Sequence, residues 1–410
     1  MNIDPNLCIR CKGKLLCGLK FCPLYAQNEI EHEIKEKLDF ENKDNIDTIT
    51  NGVFIGSNNY PSLSVGFLGS LNRNPEKYED LHKFSIKKVV KERLLNIRNF
   101  RNYNISKINL NSYYFSNLQD ISMAENKMDN EVKSDKLEKK SSFSFIEAPY
   151  GPKAHVEKLR LNDNPKISKI MYKLTEDTDL LSKDAVNYLY KNNFSKNYIE
   201  NVFSTATLGI GKNRKLVPTR WSITATDDLI SKEIIKNIKL NKQDNNYFGF
   251  YYEQYGNHFF IFMLPLGYKF EMFEVVQKNT LYNSSNQDLW TYDYEDFEGR
   301  KKYAENVTGG YYAARLPITK FQSDNKIQMS TIVIRVIDKN YTTPLGVWVI
   351  REGIRKSLLN KFEFESEEKL LKFMTFLIKH KTDVNVFDYL NKSNILKLKL
   401  RQSLLNEWLK

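Results

Sequence analysis

All four cysteines of this chain lie between positions 8 and 22, spaced Cys8-x2-Cys11-x5-Cys17-x4-Cys22, and none occurs after residue 22. So short a stretch cannot bury a core of its own and has to take its order from cross-links. Four thiolates satisfy the tetrahedral, sulfur-preferring shell of Zn2+. Gly13 and Gly18, beside the cysteines, supply the tight backbone that turns sulfurs inward. Two disulfides are the competing reading, unfavourable in a chain that reads as unsecreted, and an iron–sulfur cluster lacks a familiar spacing here. Cys8, Cys11, Cys17 and Cys22 are therefore expected to hold one structural Zn2+.

The other end carries a second compact pattern, Gln402-Ser403-Leu404-Leu405-Asn406-Glu407-Trp408-Leu409-Lys410. In a 3₁₀-like turn residues three apart eclipse, so Leu405 and Trp408 would project together as a two-pronged plug. Leu409 would extend it, and Gln402 would offer an amide. The spacing resembles the clamp-interaction box through which replication and repair proteins bind the sliding clamp, with Gln402, Leu405, Trp408 and Leu409 as the binding residues. An amphipathic helix packed on its own domain is the alternative, because Leu400, Leu404, Leu405 and Trp408 also fall at helical spacing.

Between these ends, 41% hydrophobic and 13% aromatic residues suffice for a sizeable core, and no apolar run approaches the roughly 20 residues of a membrane span. The N-terminal MNIDPNLCIRC has no signal-peptide core, so a soluble, cytoplasmic protein with no membrane partner is expected. The formal charge of +12 favours a polyanionic partner, DNA first.

GVFIG (52–56), LSVGFLG (63–69) and STIVIRVID (330–338) read as strands. YFGFYYEQ and HFFIFMLP, joined at Tyr255-Gly256-Asn257, read as a hairpin central to a sheet. Residues 84–100 read as a basic helix, 166–205 as a helix pair capped by Asp179 or Ser182, and 346–358 as a strand running into a helix. The acidic run 288–300 reads as a loop, either holding a metal or merely exposed. His32 reads as a surface residue and His155 as structural.

The expected fold is α+β: a mixed or antiparallel sheet with helices on its faces, a small N-terminal four-cysteine zinc unit and a flexible C-terminal tail. Expected boundaries are a zinc unit at 1–27, the first part of the body at 28–124 and a charged linker or exposed loop at 125–142. The main body follows at 143–392 and the tail at 393–410.

The central segment LGIGKNRKLVPTRWSITATDD (208–228) gathers Arg214, Lys215 and Arg220 beside Trp221. With Arg351 and Arg355 these are the candidate DNA contacts. Asp227 and Asp228 either cap a helix running 227–240 or hold a second metal, Mg2+ or Mn2+, which would make the protein a metal-dependent nuclease or other DNA-processing enzyme. A scaffold whose positive surface binds acidic proteins is a third reading. Gly209-x-Gly211 is no nucleotide-binding loop, because the GxxxxGK[ST] arrangement is absent.

Several segments together are similar to one family, the archaeal Nre DNA-repair proteins. They are CIRCKGKLLCGLKFCP (8–23), RKLVPTRWSITATDD (214–228), GGYYAAR (309–315), PLGVWVIREGIR (344–355) and the terminal box; GVFIGSNNYPSLSVG (52–66) adds a looser likeness. The resemblance implies a role in repairing DNA damage, the four-cysteine zinc site and recruitment to the sliding clamp. It implies no catalytic residues.

Overall fold

The structure, a computed structural model, describes residues 10–11, 14–18, 22, 29–30, 32–34, 36, 45–138 and 148–397. They divide into two compact units: 22–230, and 231–410 together with 1–21. The division falls inside one helix, Thr219–Ile238.

In the first unit, alternation along the chain writes a barrel. Its strands are β1 (Asn45–Asn59), β2 (Ser62–Ser70), β3 (Asn96–Asn104), β4 (Asp129–Glu138) and β5 (Lys153–Leu161). Val53 and Ile55, then Leu63, Val65 and Phe67, then Val132, Val156 and Leu159 turn inward into one core. Their neighbours at odd spacing turn outward, as a period of two requires.

The order is β1-β2-β3-β5-β4, closed by β4 on β1. β3 and β5 run parallel and every other pairing is antiparallel. With helix α2 (Tyr113–Met123) between β3 and β4, after α1 (Ile86–Leu94), this is the arrangement of the OB-fold barrel. α2 delivers Tyr114, Phe115, Leu118 and Ile121 to the core. The barrel's fifteen-residue β1 pairs with β4 through Asn45–Ile49 and with β2 beyond, bulging between Thr50 and Val53 where Gly52 takes φ +109°. The seam is fastened by a buried reciprocal pair: Thr48 Oγ1 donates to Asn130 Oδ1 (2.9 Å) and Asn130 Nδ2 to Thr48 O (2.8 Å).

Three helices follow in this unit, α3 (Lys169–Glu176), α4 (Ser182–Lys191) and α5 (Lys196–Ser204), and α6 is Thr219–Ile238. Ser168 and Ser195 cap α3 and α5 by accepting from Met171 N and Tyr198 N. The expected caps do otherwise: Asp179 lies outside the helices, and Ser182 is the first residue of α4, its hydroxyl donating to Leu208 O.

The second unit contains a six-stranded mixed sheet in the order β10-β9-β12-β8-β7-β13. Its strands are β7 (Tyr247–Gln254), β8 (Asn257–Leu264), β9 (Lys269–Val276), β10 (Leu289–Glu295), β12 (Ser330–Ile337) and β13 (Lys361–Phe364). A two-residue pair, β6 (Lys242–Gln243) with β11 (Ile327–Gln328), stands apart. β8 and β12 are buried along their whole lengths because helices cover both faces. One face packs Phe260, Phe262 and Ile334 against Leu370, Met374 and Ile378 of α9 (Glu367–Thr382), with α10 (Phe387–Leu390) adding Tyr389 and Leu390. The other takes α7 (Gly309–Asp324) and α8 (Trp348–Ser357), where Phe321 meets Phe250 edge-on and Gly353 lies against Phe259.

The α+β class and the mixed sheets with their helices agree with expectation, as does the β7–β8 hairpin, whose turn residues Tyr255 and Gly256 both have positive φ. Several local expectations change. The charged stretch 125–142 holds β4, a strand paired on both sides, rather than a linker. Residues 84–100 break into α1 and β3. The 288–300 run is β10 rather than a loop, and its Asp293 and Glu295 are buried, not exposed. The stretch 346–358 has no strand: Gly346 turns at φ +85° and the helix begins at Trp348.

Burying Glu295 depends on Arg315 of α7. Arg315 Nη1 donates to Glu295 Oε2 at 2.7 Å, Tyr268 Oη donates to Glu295 Oε1 at 3.0 Å, and both members of the ion pair are 1% exposed. Arg315→Met should therefore cost about 3–5 kcal/mol by leaving a buried carboxylate without its counter-charge. A denaturant-midpoint comparison checks this; an unchanged midpoint would mean the pair is not the anchor of α7 on β10.

Candidate nucleic-acid interface

At the N-terminus, Cys11 is buried and its Sγ accepts a hydrogen bond from Leu16 N at 3.2 Å. Leu15 (φ +60°) and Gly18 (φ +72°) make the intervening turn, closed by Gly18 N donating to Leu15 O at 2.9 Å. An N–H aimed at sulfur stabilises a thiolate, the form a metal requires. Cys11, Cys17 and Cys22 are free thiols. Among the described residues no three His, Cys, Asp or Glu side chains are gathered as a metal site. Cys8 lies outside those residues, as do Gln402, Leu405, Trp408 and Leu409.

The central basic segment belongs to the barrel unit. Arg214 is engaged with the backbone: Nε donates to Gly209 O and Nη2 to Asp177 O, both at 2.8 Å. Burial pulls its guanidinium below the usual arginine range. Gly209 (φ +108°) is needed because a Cβ there would meet Ser182 Oγ at 2.3 Å. The Gly-x-Gly turn thus packs on the α3–α4 connection. Lys215 and Arg220 are exposed. Arg351 and Arg355 sit on α8 in the other unit, Arg351 half-buried and Arg355 exposed with its Nε 2.7 Å from Glu352 Oε2.

Asp227 does not cap a helix, because α6 begins eight residues earlier, directly after Pro218. Proline has no N–H to leave unsatisfied at a helix start, and Thr219 Oγ1 there accepts from Ile55 N of β1 at 2.8 Å. Asp227 is fully buried inside the helix, 3.1 Å from Lys196 Nζ, which also binds Glu200 and donates to Thr226 Oγ1 at 3.1 Å. A hydrated Mg2+ or Mn2+ cannot use a carboxylate sealed against an ammonium, so the geometry of Asp227 and Asp228 gives the nuclease reading no support. Asp228 is half-buried on the same helix. A double-mutant cycle on Lys196→Met and Asp227→Asn is expected to yield a coupling of about 1–3 kcal/mol in unfolding free energy; strictly additive losses would show that the two side chains do not depend on each other.

Beside these charges lies a feature that sequence reading missed. Tyr60, in the β1–β2 turn, and Trp221, in the first turn of α6, are 56% and 52% exposed, with ring centroids 6.0 Å apart at 43°. On the adjoining outer wall, Arg98 of β3 lies 3.8 Å from the Tyr150 ring and 5.5 Å from that of Phe54. Phe100, its outward neighbour, meets His155 edge-on at 5.8 Å. His155 itself is fixed by Asp135, 2.7 Å from Nδ1. The one available signal was Trp221 flanked by cations; its partner Tyr60 is brought to it by the docking of α6 on β1, where Ile55 N donates to Thr219 Oγ1.

Likeness to known proteins extends over nearly the whole chain. A family model described as "Archaeal Nre, N-terminal" matches residues 16–283, and one described as "Archaeal Nre, C-terminal" matches 295–408. The chain is 35% identical over 368 residues to "DNA repair protein NreA" of Archaeoglobus fulgidus, covering 89% of this chain and 92% of that one. It is 29% identical over 404 residues to "DNA repair protein NreB" of the same organism, covering 95% and 97%. With "DNA repair protein NreA" of Haloferax volcanii it shares 28% over 325 residues, 75% and 76% of the two chains. No solved structure matches. Matches that together run nearly the length of the chain leave one assignment: it belongs to the archaeal Nre family.

Proposed function

We propose that this protein is a DNA-repair factor that the sliding clamp delivers to its substrate, with one structural Zn2+ and direct DNA binding. The observation that carries the reading is its likeness to a DNA repair protein over nine-tenths of the chain. The terminal Gln402, Leu405, Trp408 and Leu409 supply the spacing for a clamp-seated plug. A tether of this kind raises local concentration without adding DNA contacts, so a modest intrinsic affinity for DNA suffices. The positive balance of the chain supports that affinity.

Cys8, Cys11, Cys17 and Cys22 are the residues that would hold zinc, and the Leu16 N–H on the Cys11 sulfur suits a coordinated thiolate. The ion would supply a cross-link rather than chemistry. Among the described residues no helix is long and apolar enough to cross a membrane.

Two measurements test the reading. Purified clamp should retain the wild-type protein and lose the Leu405→Ala/Trp408→Ala variant; equal retention would remove the tether. Elemental analysis should find one zinc per chain, reduced by Cys11→Ser and by Cys17→Ser. A metal-free wild-type protein that stays folded would sink the zinc assignment.

A further inference from the structure

We infer that the outer wall of the barrel around β1, β2 and β3, with the Tyr60–Trp221 pair at its rim, binds single-stranded nucleic acid by stacking bases on its aromatic rings. This rests on the DNA-binding part of the reading above and adds the strandedness and the place.

Three independent observations converge on it. The first is topological: in a barrel of this strand order, the β2–β3 face and the β1–β2 turn are where oligonucleotides and oligosaccharides bind. The second is the exposure of Tyr60 and Trp221. Rings of this size normally bury most of their area, yet half of each stands in water at 6.0 Å from the other. Phe54 and Phe100 continue the aromatic surface down the wall, on either side of Gly66 in the strand register.

The third is charge. In a chain with 50 acidic residues among 410, the segments that build this surface, 48–75, 96–119 and 201–226, contain no Asp or Glu. They carry Arg98, Lys215 and Arg220 among their cations. The acids of the barrel strands lie elsewhere: Asp47 on the part of β1 that pairs with β4, Asp129, Glu131, Asp135 and Glu138 on β4, Glu157 on β5. A phosphate chain can therefore approach the Tyr60–Trp221 rim and run along the wall without meeting a carboxylate until Asp135, which holds His155 beside Phe100, whereas a neutral sugar gains nothing from that separation.

Stacking selects the single strand. Aromatic side chains can reach a base face only where the bases are not already stacked on one another.

The test compares fluorescence anisotropy of the full-length protein with a labelled oligothymidylate of about 20 nucleotides and with a duplex of the same length. The single strand should bind more tightly. Trp221→Ala and Tyr60→Ala should each weaken it about tenfold or more, while Trp221→Phe and Tyr60→Phe stay within about threefold of wild type. Both positions are exposed, so the thermal midpoint should not move. Arg220→Ala should reduce the salt dependence of the same binding by about 0.7 in log–log slope. Single-strand affinity no greater than duplex affinity, or alanine variants that bind the single strand as wild type does, would overturn the proposal while leaving DNA binding intact. Failure to bind either DNA would overturn both.

Discussion

The barrel of the first unit closes through β1, a fifteen-residue strand that meets β4 and β2 along different parts of its length. Its first residues pair with β4, its later ones with β2, and the bulge at Gly52 turns it from one to the other. Closure gives every strand a neighbour on each side. It also dictates β2: a Cβ at Gly66 would sit 1.8 Å from Asn99 O, so only glycine lets β2 come within pairing distance of β3 there. The parallel β3–β5 contact, three register pairs long, is the shortest joint of the ring. The Thr48–Asn130 pair holds the β1–β4 seam, where a side-chain amide and a hydroxyl replace solvent in a dry environment. Everything placed on the outer wall inherits its position from this closure.

The second unit obeys a different constraint. Its central strands are covered on both faces, so a carboxylate buried there needs a partner within the fold. Glu295 finds Arg315 and Tyr268, and Asp293 accepts from Asn306 N and Val307 N while facing Arg300 at 3.1 Å. Glu271 binds the Ser393 hydroxyl and Asn394 N, although burial still pushes its carboxyl upward. Asp293 and Glu295 are the acids that read as an exposed or metal-holding loop. Their pattern in the sequence is the same in both cases; the arginine that neutralises Glu295 lies twenty residues on, in a helix the local sequence does not point to.

Elements whose periodicity matched their burial were readable. The β7–β8 hairpin announced itself through continuous aromatic runs around Tyr255-Gly256. β4 was not readable, because Asn130 and Val132 are its only buried residues and most of the rest is charged. Backbone pairing on both sides makes it a strand, and that information sits in β1 and β5. The functional residues divide in the same way. Lys215 and Arg220 are exposed as a binding role requires, whereas Arg214, which looked equivalent to them in the sequence, and Asp227, which read as a cap or metal ligand, prove to be internal fastenings. Charge alone cannot separate a cation that meets a ligand from one that braces two carbonyls.

That division bears on how a repair factor of this size could act. Two or three stacked bases, each contributing about 1–3 kcal/mol, amount to an affinity in the millimolar-to-micromolar range once the cost of association is met. Alone, such a surface would be occupied rarely. Under the proposed clamp delivery, the tether would hold it at an effective concentration of the order of millimolar, enough to fill the site whenever a single strand appears nearby. Weak binding is then an advantage, since the protein can release when the strand is paired again. Tight sequence-independent binding would instead hold it on undamaged DNA. In the proposed scheme the aromatic pair and the terminal residues are complementary: one would recognise the open strand, the other would supply the concentration that makes so small a surface useful.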